Sequence, residues 1–176
     1  RELARAHRIP IRDMADVDRL DLAFDGADEV DLAGDLIKGA GAAHVLEKIV
    51  AAAADRFVVI VDESKLVQRL GERHRFPVDV LPAAMSSAMR RLRDLRLDPR
   101  VRTGSGKLGP VISDPGGIVI DCLLSEGVEP ARLDAQITLI PGVVGHGLFI
   151  GLASELFVAR LTPSGPAVEQ IVIPRA

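Results

Sequence analysis

The run Arg56-Phe57-Val58-Val59-Ile60-Val61-Asp62 constrains the fold most, being of strand length, almost continuously apolar, and closed by an acid. A strand with one wet face alternates, so a run without alternation suits a central parallel strand covered on both faces. Parallel strands need a crossover, and the preceding residues supply one. Leu20 to Asp25 reads as a strand in which Leu20, Leu22 and Phe24 alternate with Asp21, Ala23 and Asp25. From about Ala42 to Asp55, Val45, Ile49 and Ala53 recur at helical spacing, widened by Leu46 and Val50, and mark the stripe expected to be buried. His44, Glu47 and Ala51 fall on another face, which lets Glu47 point out of the core toward the loops. Strand, helix and strand, with polar loops gathered at the strand ends, predict a doubly wound, Rossmann-like α/β sheet that is mostly parallel.

Downstream the pattern changes. A strand at Val78 to Leu81, a helix at Pro82 to Leu97, strands near Val101 and at Ile118 to Leu123, a helix near Pro130 to Thr138 and a strand near Val143 predict a smaller inserted α+β domain of ferredoxin-like type. In its first helix Met85, Ala88, Met89, Leu92 and Leu95 form the buried stripe, and Arg90, Arg91, Arg93 and Arg96 cover the solvated face. Strands at Glu155 to Leu161 and Val168 to Ile173, joined by a turn at Pro163 to Pro166, are expected to return to the large sheet. The expected division is a large α/β domain over 1–74, the inserted domain over 75–146 and the return over 147–176. Before the first strand, the reading is a helix end, a short strand near Ile9 and a turn at Asp13 to Asp18.

Composition removes several classes of function. With 48% hydrophobic and 27% charged residues, the 176-residue chain can bury a core and is not a disordered one. A net charge of −3 without a basic stripe argues against a nucleic-acid partner. No stretch approaches the roughly 20 apolar residues of a membrane span, and the N-terminus lacks a signal-peptide core, so a cytoplasmic protein without a membrane partner is expected. The single cysteine, Cys122, lies in the run Ile118-Val119-Ile120-Asp121-Cys122 and reads as a small buried residue of a strand.

The chemistry concentrates between two elements already placed. Asp25-Gly26-Ala27-Asp28-Glu29 ends the first strand in acids, Lys38-Gly39-Ala40-Gly41-Ala42-Ala43 brings a base and a glycine turn, and Glu47-Lys48 follows on the helix. Ligands of open α/β sheets sit at the carboxyl ends of strands, so acid/base chemistry on a small anionic substrate is the first reading. Each residue has a plainer use: Asp-Gly is common at turns, a lone helix glutamate is ordinarily solvated, and a lone lysine is surface decoration.

These blocks, with Asp62-Glu63-Ser64-Lys65, Phe76-Pro77-Val78-Asp79-Val80 and Ile140-Pro141-Gly142-Val143-Val144 followed by Gly147-Leu148-Phe149, occur in the order found in ribose-5-phosphate isomerase of the A type. The resemblance runs from about Asp21 to Thr162. It implies interconversion of D-ribose 5-phosphate and D-ribulose 5-phosphate through an enediolate, with no metal and no organic cofactor. By position, Glu47 matches the family's proton acceptor. Asp25, Gly26, Ala27 and Asp28 match its substrate loop, where the two acids would bond sugar hydroxyls and assist ring opening. Lys38 matches the lysine that would neutralise the oxyanion or ring oxygen, and Gly39, Ala40 and Gly41 match the turn that lets backbone approach the substrate. Lys65 matches a substrate-binding lysine, read as a phosphate contact. The resemblance also implies a homodimer or homotetramer.

Two departures stand out: Ala40 replaces the middle of three successive glycines, and Leu46 stands where an arginine is common. Ala40 would strain the turn only if its φ had to be positive. The family's opening strand and Gly-Thr-Gly-Ser-Thr-type turn find no match here, so part of the phosphate cradle is expected upstream of Arg1. His146 is given no role. The alternative reading is a non-catalytic sugar-phosphate-sensing domain of related fold, which would lack the base; an acyl or coenzyme A transferase would want a covalent glutamate in a different setting.

Overall fold

The apolar run becomes an interior strand, as its composition requires. The computed structural model describes residues 2–104, 106 and 108–174. Its elements are α1 (Glu2–Ala6), β1 (Leu20–Asp25), β2 (Glu29–Val30), β3 (Leu36–Ile37), α2 (His44–Ala53), β4 (Ala54–Asp62), β5 (Phe76–Val80), α3 (Met85–Asp94), β6 (Arg100–Val101), β7 (Ile118–Cys122), α4 (Pro130–Thr138), β8 (Val143–His146), β9 (Leu148–Phe149), β10 (Glu155–Thr162) and β11 (Gly165–Val172). One sheet has the order β1-β4-β10-β11, with β4 parallel to both neighbours and β11 added antiparallel at the edge. The mostly parallel α/β class expected from the sequence is therefore present, and both closing strands belong to this sheet.

A second sheet, order β6-β7-β5-β8, is antiparallel throughout. Its chain path, strand, α3, two strands, α4, strand, is the ferredoxin-like arrangement. Val78 and Val80 from β5 and Ile120 and Cys122 from β7 face Ala88 and Leu92 of α3 and Leu133 and Ile137 of α4. Met85, Met89 and Leu95 pack at the margin of that core, as the helical stripe predicted. Burial raises the Cys122 thiol far above its usual pKa, which makes it an inert packing residue.

The third sheet, β2-β3-β9, was invisible to periodicity because its strands are two residues long. It is the wall between two cores. Successive strand side chains point to opposite faces, so Leu36 and Phe149 join Phe57, Val59 and Leu156 under the parallel sheet, while Ile37 and Leu148 join the core of the small sheet.

The structure settles which face of β1 is buried and corrects the sequence expectations for α2 and for Ile9. In β1 the buried side chain is Ala23, while Leu22 is 50% and Phe24 71% exposed. The small residue faces α2 because the helix must come close there, and the larger pair lies on the opposite face. In α2 the buried residues are His44, Val45 and Ala51, while Ile49 is 46% exposed, so the expected stripe is rotated. The helix also starts later and ends earlier, because Ala42 has φ 62° and Ala54 is already extended at φ −91°, ψ 137°. No strand forms near Ile9.

Candidate active site

Lys38 owes its position to alternation. It follows Ile37 by one strand step and therefore points to the side of Leu36 and Phe149, under the parallel sheet. Its N–H continues the ladder by donating to Gly147 O at 2.9 Å. Gly147 must be glycine: an added Cβ would lie 2.1 Å from Lys38 O and 2.5 Å from Pro77 Cδ. This crossing fixes Lys38 against both sheets at once.

The Lys38 side chain is 5% exposed and fully engaged. Its Nζ donates to Gly26 O at 2.6 Å, lies 3.0 Å from Asp25 Oδ2 and 3.3 Å from Glu47 Oε2, and sits 5.7 Å from the centroid of the Phe149 ring. A buried ammonium persists only when paired and hydrogen-bonded, and here two carboxylates and a carbonyl do so. Glu47 reaches inward because the true inner face of α2 runs through His44, Glu47, Lys48 and Ala51. Its Oε2 is shielded from solvent and makes no hydrogen bond, so a full lone pair remains to accept a proton.

The turn after Lys38 is braced from two sides. Gly39 has φ +107°, and a Cβ there would meet Pro77 Cγ at 2.5 Å, so glycine is required. Ala40 is not among the residues with positive φ, and its replacement of a glycine is therefore unstrained; the left-handed residue is Ala42. Asp28 Oδ2 accepts the Ala40 N–H at 3.0 Å, and Asp25 Oδ1 accepts the Gly26 N–H at 2.8 Å. Ala27 packs at the edge of the core beneath. A cleft of about 310 Å³ opens beside these groups, lined by Phe24, Asp25, Ala43, Leu46, Glu47 and Asp114 among others.

The structure thus brings Asp25, Lys38 and Glu47 together, with Asp28 on the adjoining turn. Lys65 ends the single turn Glu63–Lys65 after β4, which Asp62 caps through the Ser64 N–H at 2.8 Å, and it is not among the groups that hold the Lys38 ammonium. Among the described residues no group of three or more His, Cys, Asp or Glu could hold a metal ion.

Several residues of the site's surroundings carried no local signal in the sequence. Glu29 looked like a third acid of the window but is fully buried, accepting the N–H groups of Gly71, Arg73 and His74, each at 2.6 Å. Arg102 lies in a featureless stretch, yet its Nη1 donates to Gly39 O and Ala40 O, both at 2.9 Å. Asp114 is not singled out by the sequence and lines the cleft.

Behind Phe149 lies a second basic group, Lys48, with Nζ 5.2 Å from the ring centroid, 3.4 Å from His146 Nδ1 and 3.7 Å from Asp134 Oδ1. Burial pulls its pKa down to about 8. His146 Nδ1 accepts the Leu148 N–H at 3.3 Å, which assigns the proton to Nε2, 3.3 Å from Thr138 Oγ1. Burial lowers the His146 pKa to about 3, so it is a neutral packing residue joining β8 to α4. His44 is likewise neutral, lowered by burial to about 4, and neither ring nitrogen has a hydrogen-bond partner.

Residues 1–162 match the family model for ribose 5-phosphate isomerase A (phosphoriboisomerase A). The ribose-5-phosphate isomerase A of Thermosynechococcus vestitus is 46% identical over 169 residues, covering 96% of this chain and 72% of that protein. That of Synechococcus sp. is 48% identical over 160 residues, covering 90% and 67%. The solved structure of the ribose 5-phosphate isomerase of Methanocaldococcus jannaschii superposes with a TM-score of 0.87 at 39% identity, covering 97% of this chain and 73% of that one. A D-ribose-5-phosphate isomerase solved in complex with phospho-erythronic acid superposes with a TM-score of 0.88 at 38% identity, over 97% and 73%. With the family model spanning nearly the whole chain and the Lys38 cluster at its strand ends, the chain belongs to the ribose 5-phosphate isomerase A family.

Proposed function

We propose that this chain interconverts D-ribose 5-phosphate and D-ribulose 5-phosphate, an aldose–ketose isomerisation of the pentose phosphates. The observation that carries the reading is the buried ammonium of Lys38 set 3.3 Å from a carboxylate oxygen of Glu47 that makes no hydrogen bond. The reaction needs one base that removes a proton from a carbon and returns it to the neighbouring one, beside a fixed positive charge.

In the open-chain aldose, Glu47 takes the proton from C2. The C–H electron pair forms the C1–C2 double bond, and O1 takes the negative charge beside Lys38. Passage of the hydroxyl proton from O2 to O1, and return of the proton from Glu47 to C1, leave the ketone at C2. Asp25 and Asp28 accept bonds from sugar hydroxyls, Asp25 also assisting ring opening. The turn at Gly39, Ala40 and Gly41 offers the Gly41 N–H to the anion near the start of α2, where the helix dipole is favourable, while the Ala40 N–H is held by Asp28. Lys65 is assigned to the phosphate. Gly26 and Ala27 shape the loop, Gly26 through the carbonyl that anchors Lys38.

The sensor alternative is not favoured: such a domain has no use for a base, and the relatives named above are isomerases. Among the described residues no helix is long and apolar enough to cross a membrane. A homodimer or homotetramer in the cytoplasm completes the proposal. The test is formation of ribulose 5-phosphate from ribose 5-phosphate, with phospho-erythronic acid as competitor. That acid presents a carboxylate where the reaction develops an enediolate, so competitive inhibition is expected, and absence of turnover by the purified protein would overturn the reading.

A further inference from the structure

We infer that Arg102 is a positioning residue that sets the glycine turn so that the Ala40 N–H engages Asp28 and the Gly41 N–H beside it is directed at the substrate, an inference that rests on the isomerase reading. The guanidinium is almost completely used. Nε and Nη2 fork onto the carboxylate of Asp121 at 2.9 and 2.5 Å, while Nη1 donates to the carbonyls of both Gly39 and Ala40 at 2.9 Å. The backbone beneath it is fixed as well, since the Arg102 N–H donates to Val119 O at 2.9 Å and its carbonyl accepts from Val111 N at 2.8 Å.

The consequence follows from peptide geometry. In a planar trans peptide the N–H points opposite to the C=O. Fixing Gly39 O on Arg102 therefore turns the Ala40 N–H to the far side, where it meets Asp28 Oδ2 at 3.0 Å. Fixing Ala40 O on the same nitrogen turns the Gly41 N–H to that side too. Two successive N–H groups are thus aimed together at the face of the turn that carries Asp28, and an added Cβ at Gly41 would meet nothing within 4 Å. Preorganised N–H donors are worth most when their direction is set before the anion arrives. A lysine cannot reproduce the brace, because one ammonium cannot hold both Asp121 oxygens and both carbonyls in the fork geometry of a guanidinium.

Three variants test this, read by turnover, inhibitor binding, thermal midpoint and amide hydrogen exchange. Arg102→Ala and Arg102→Lys are expected to lower kcat/KM by about 10- to 100-fold, within the range for misdirected backbone donors. Both should weaken phospho-erythronic acid binding by calorimetry roughly tenfold while the thermal midpoint stays within a few degrees of the parent. Millimolar guanidinium should partly restore Arg102→Ala and leave Arg102→Lys unimproved, and Asp121→Asn should fall between parent and Arg102→Ala. Independently of turnover, amide hydrogen exchange across residues 39–43 should quicken at least tenfold in Arg102→Ala. Unchanged exchange with unchanged kcat and KM overturns the inference, as does activity lost only in proportion to the folded fraction. A parent protein with no isomerase activity overturns the proposed function instead, and the exchange measurement then decides whether Arg102 holds the turn.

Discussion

Replacing Glu29 by alanine should destabilise the protein severely, although it stands in sequence directly after the acids Asp25 and Asp28. Its carboxylate, fully buried, accepts three backbone N–H groups at 2.6 Å from residues 71, 73 and 74, with His74 Nδ1 a further 3.3 Å away. Hydrogen bonds to a charged group contribute about 1.5–3 kcal/mol each, so three set a ceiling of roughly 4.5–9 kcal/mol. Residues 71–74 are partly exposed and can rehydrate when released. The expected loss for Glu29→Ala is therefore about 3–5 kcal/mol, or roughly 6–20 °C in thermal midpoint for a chain of this size. Glu29→Gln keeps Oε1 for Arg73 and His74 but turns an N–H toward the Gly71 N–H, so about 1.5–3 kcal/mol is expected. Urea unfolding should be followed by far-UV circular dichroism, because the chain has no Trp or Tyr to report by fluorescence. A Glu29→Ala protein within about 1 kcal/mol of the parent would refute the reasoning.

Ala42 holds φ 62°, a left-handed conformation that costs a residue with a Cβ about 1–2 kcal/mol, so Ala42→Gly should raise the urea midpoint by part of that amount; a lower midpoint would contradict it. Burial holds His44 and His146 neutral, with pKa values of about 4 and about 3 against 6.5 when unfolded. As pH falls below 6.5 the unfolded chain binds protons that the folded one refuses, so stability present above pH 6.5 is lost on acidification, by about 1–2 kcal/mol per histidine at pH 5. His44→Leu should flatten that dependence by about half; an unchanged slope would show that His44 is not a buried neutral group. Lys65→Ala should raise KM while kcat holds, as lost uniform binding requires, and an unchanged KM would remove it from the phosphate site.

Elements fixed by local pattern were legible in the sequence. The unbroken apolar run placed β4 between two strands, Pro130 marked the first turn of α4, and the Met85-to-Leu95 stripe named the inner face of α3. Faces chosen by a distant partner were not legible. Alternation in β1 separated two kinds of side chain, but only the approach of α2 decides that Ala23 is the buried one. The same holds for α2, where Glu47 and Lys48 lie on the inner face because Lys38, Asp134 and Phe149 receive them. The site followed this division. Asp25, Lys38 and Glu47 were named from short ordered blocks, whereas Arg102, which braces the same turn through Asp121, lies 62 residues from Ala40 in sequence.

In the proposed isomerisation Glu47 is the group that carries the proton. The most direct measurement compares turnover of ribose 5-phosphate by the parent and by Glu47→Gln, with phospho-erythronic acid binding measured on both. A glutamine keeps the shape beside Lys38 but cannot take the C2 proton. The expected result is a fall in kcat of about 10²- to 10⁴-fold or more, with inhibitor affinity changed by no more than a few-fold. Turnover by Glu47→Gln close to that of the parent would contradict it.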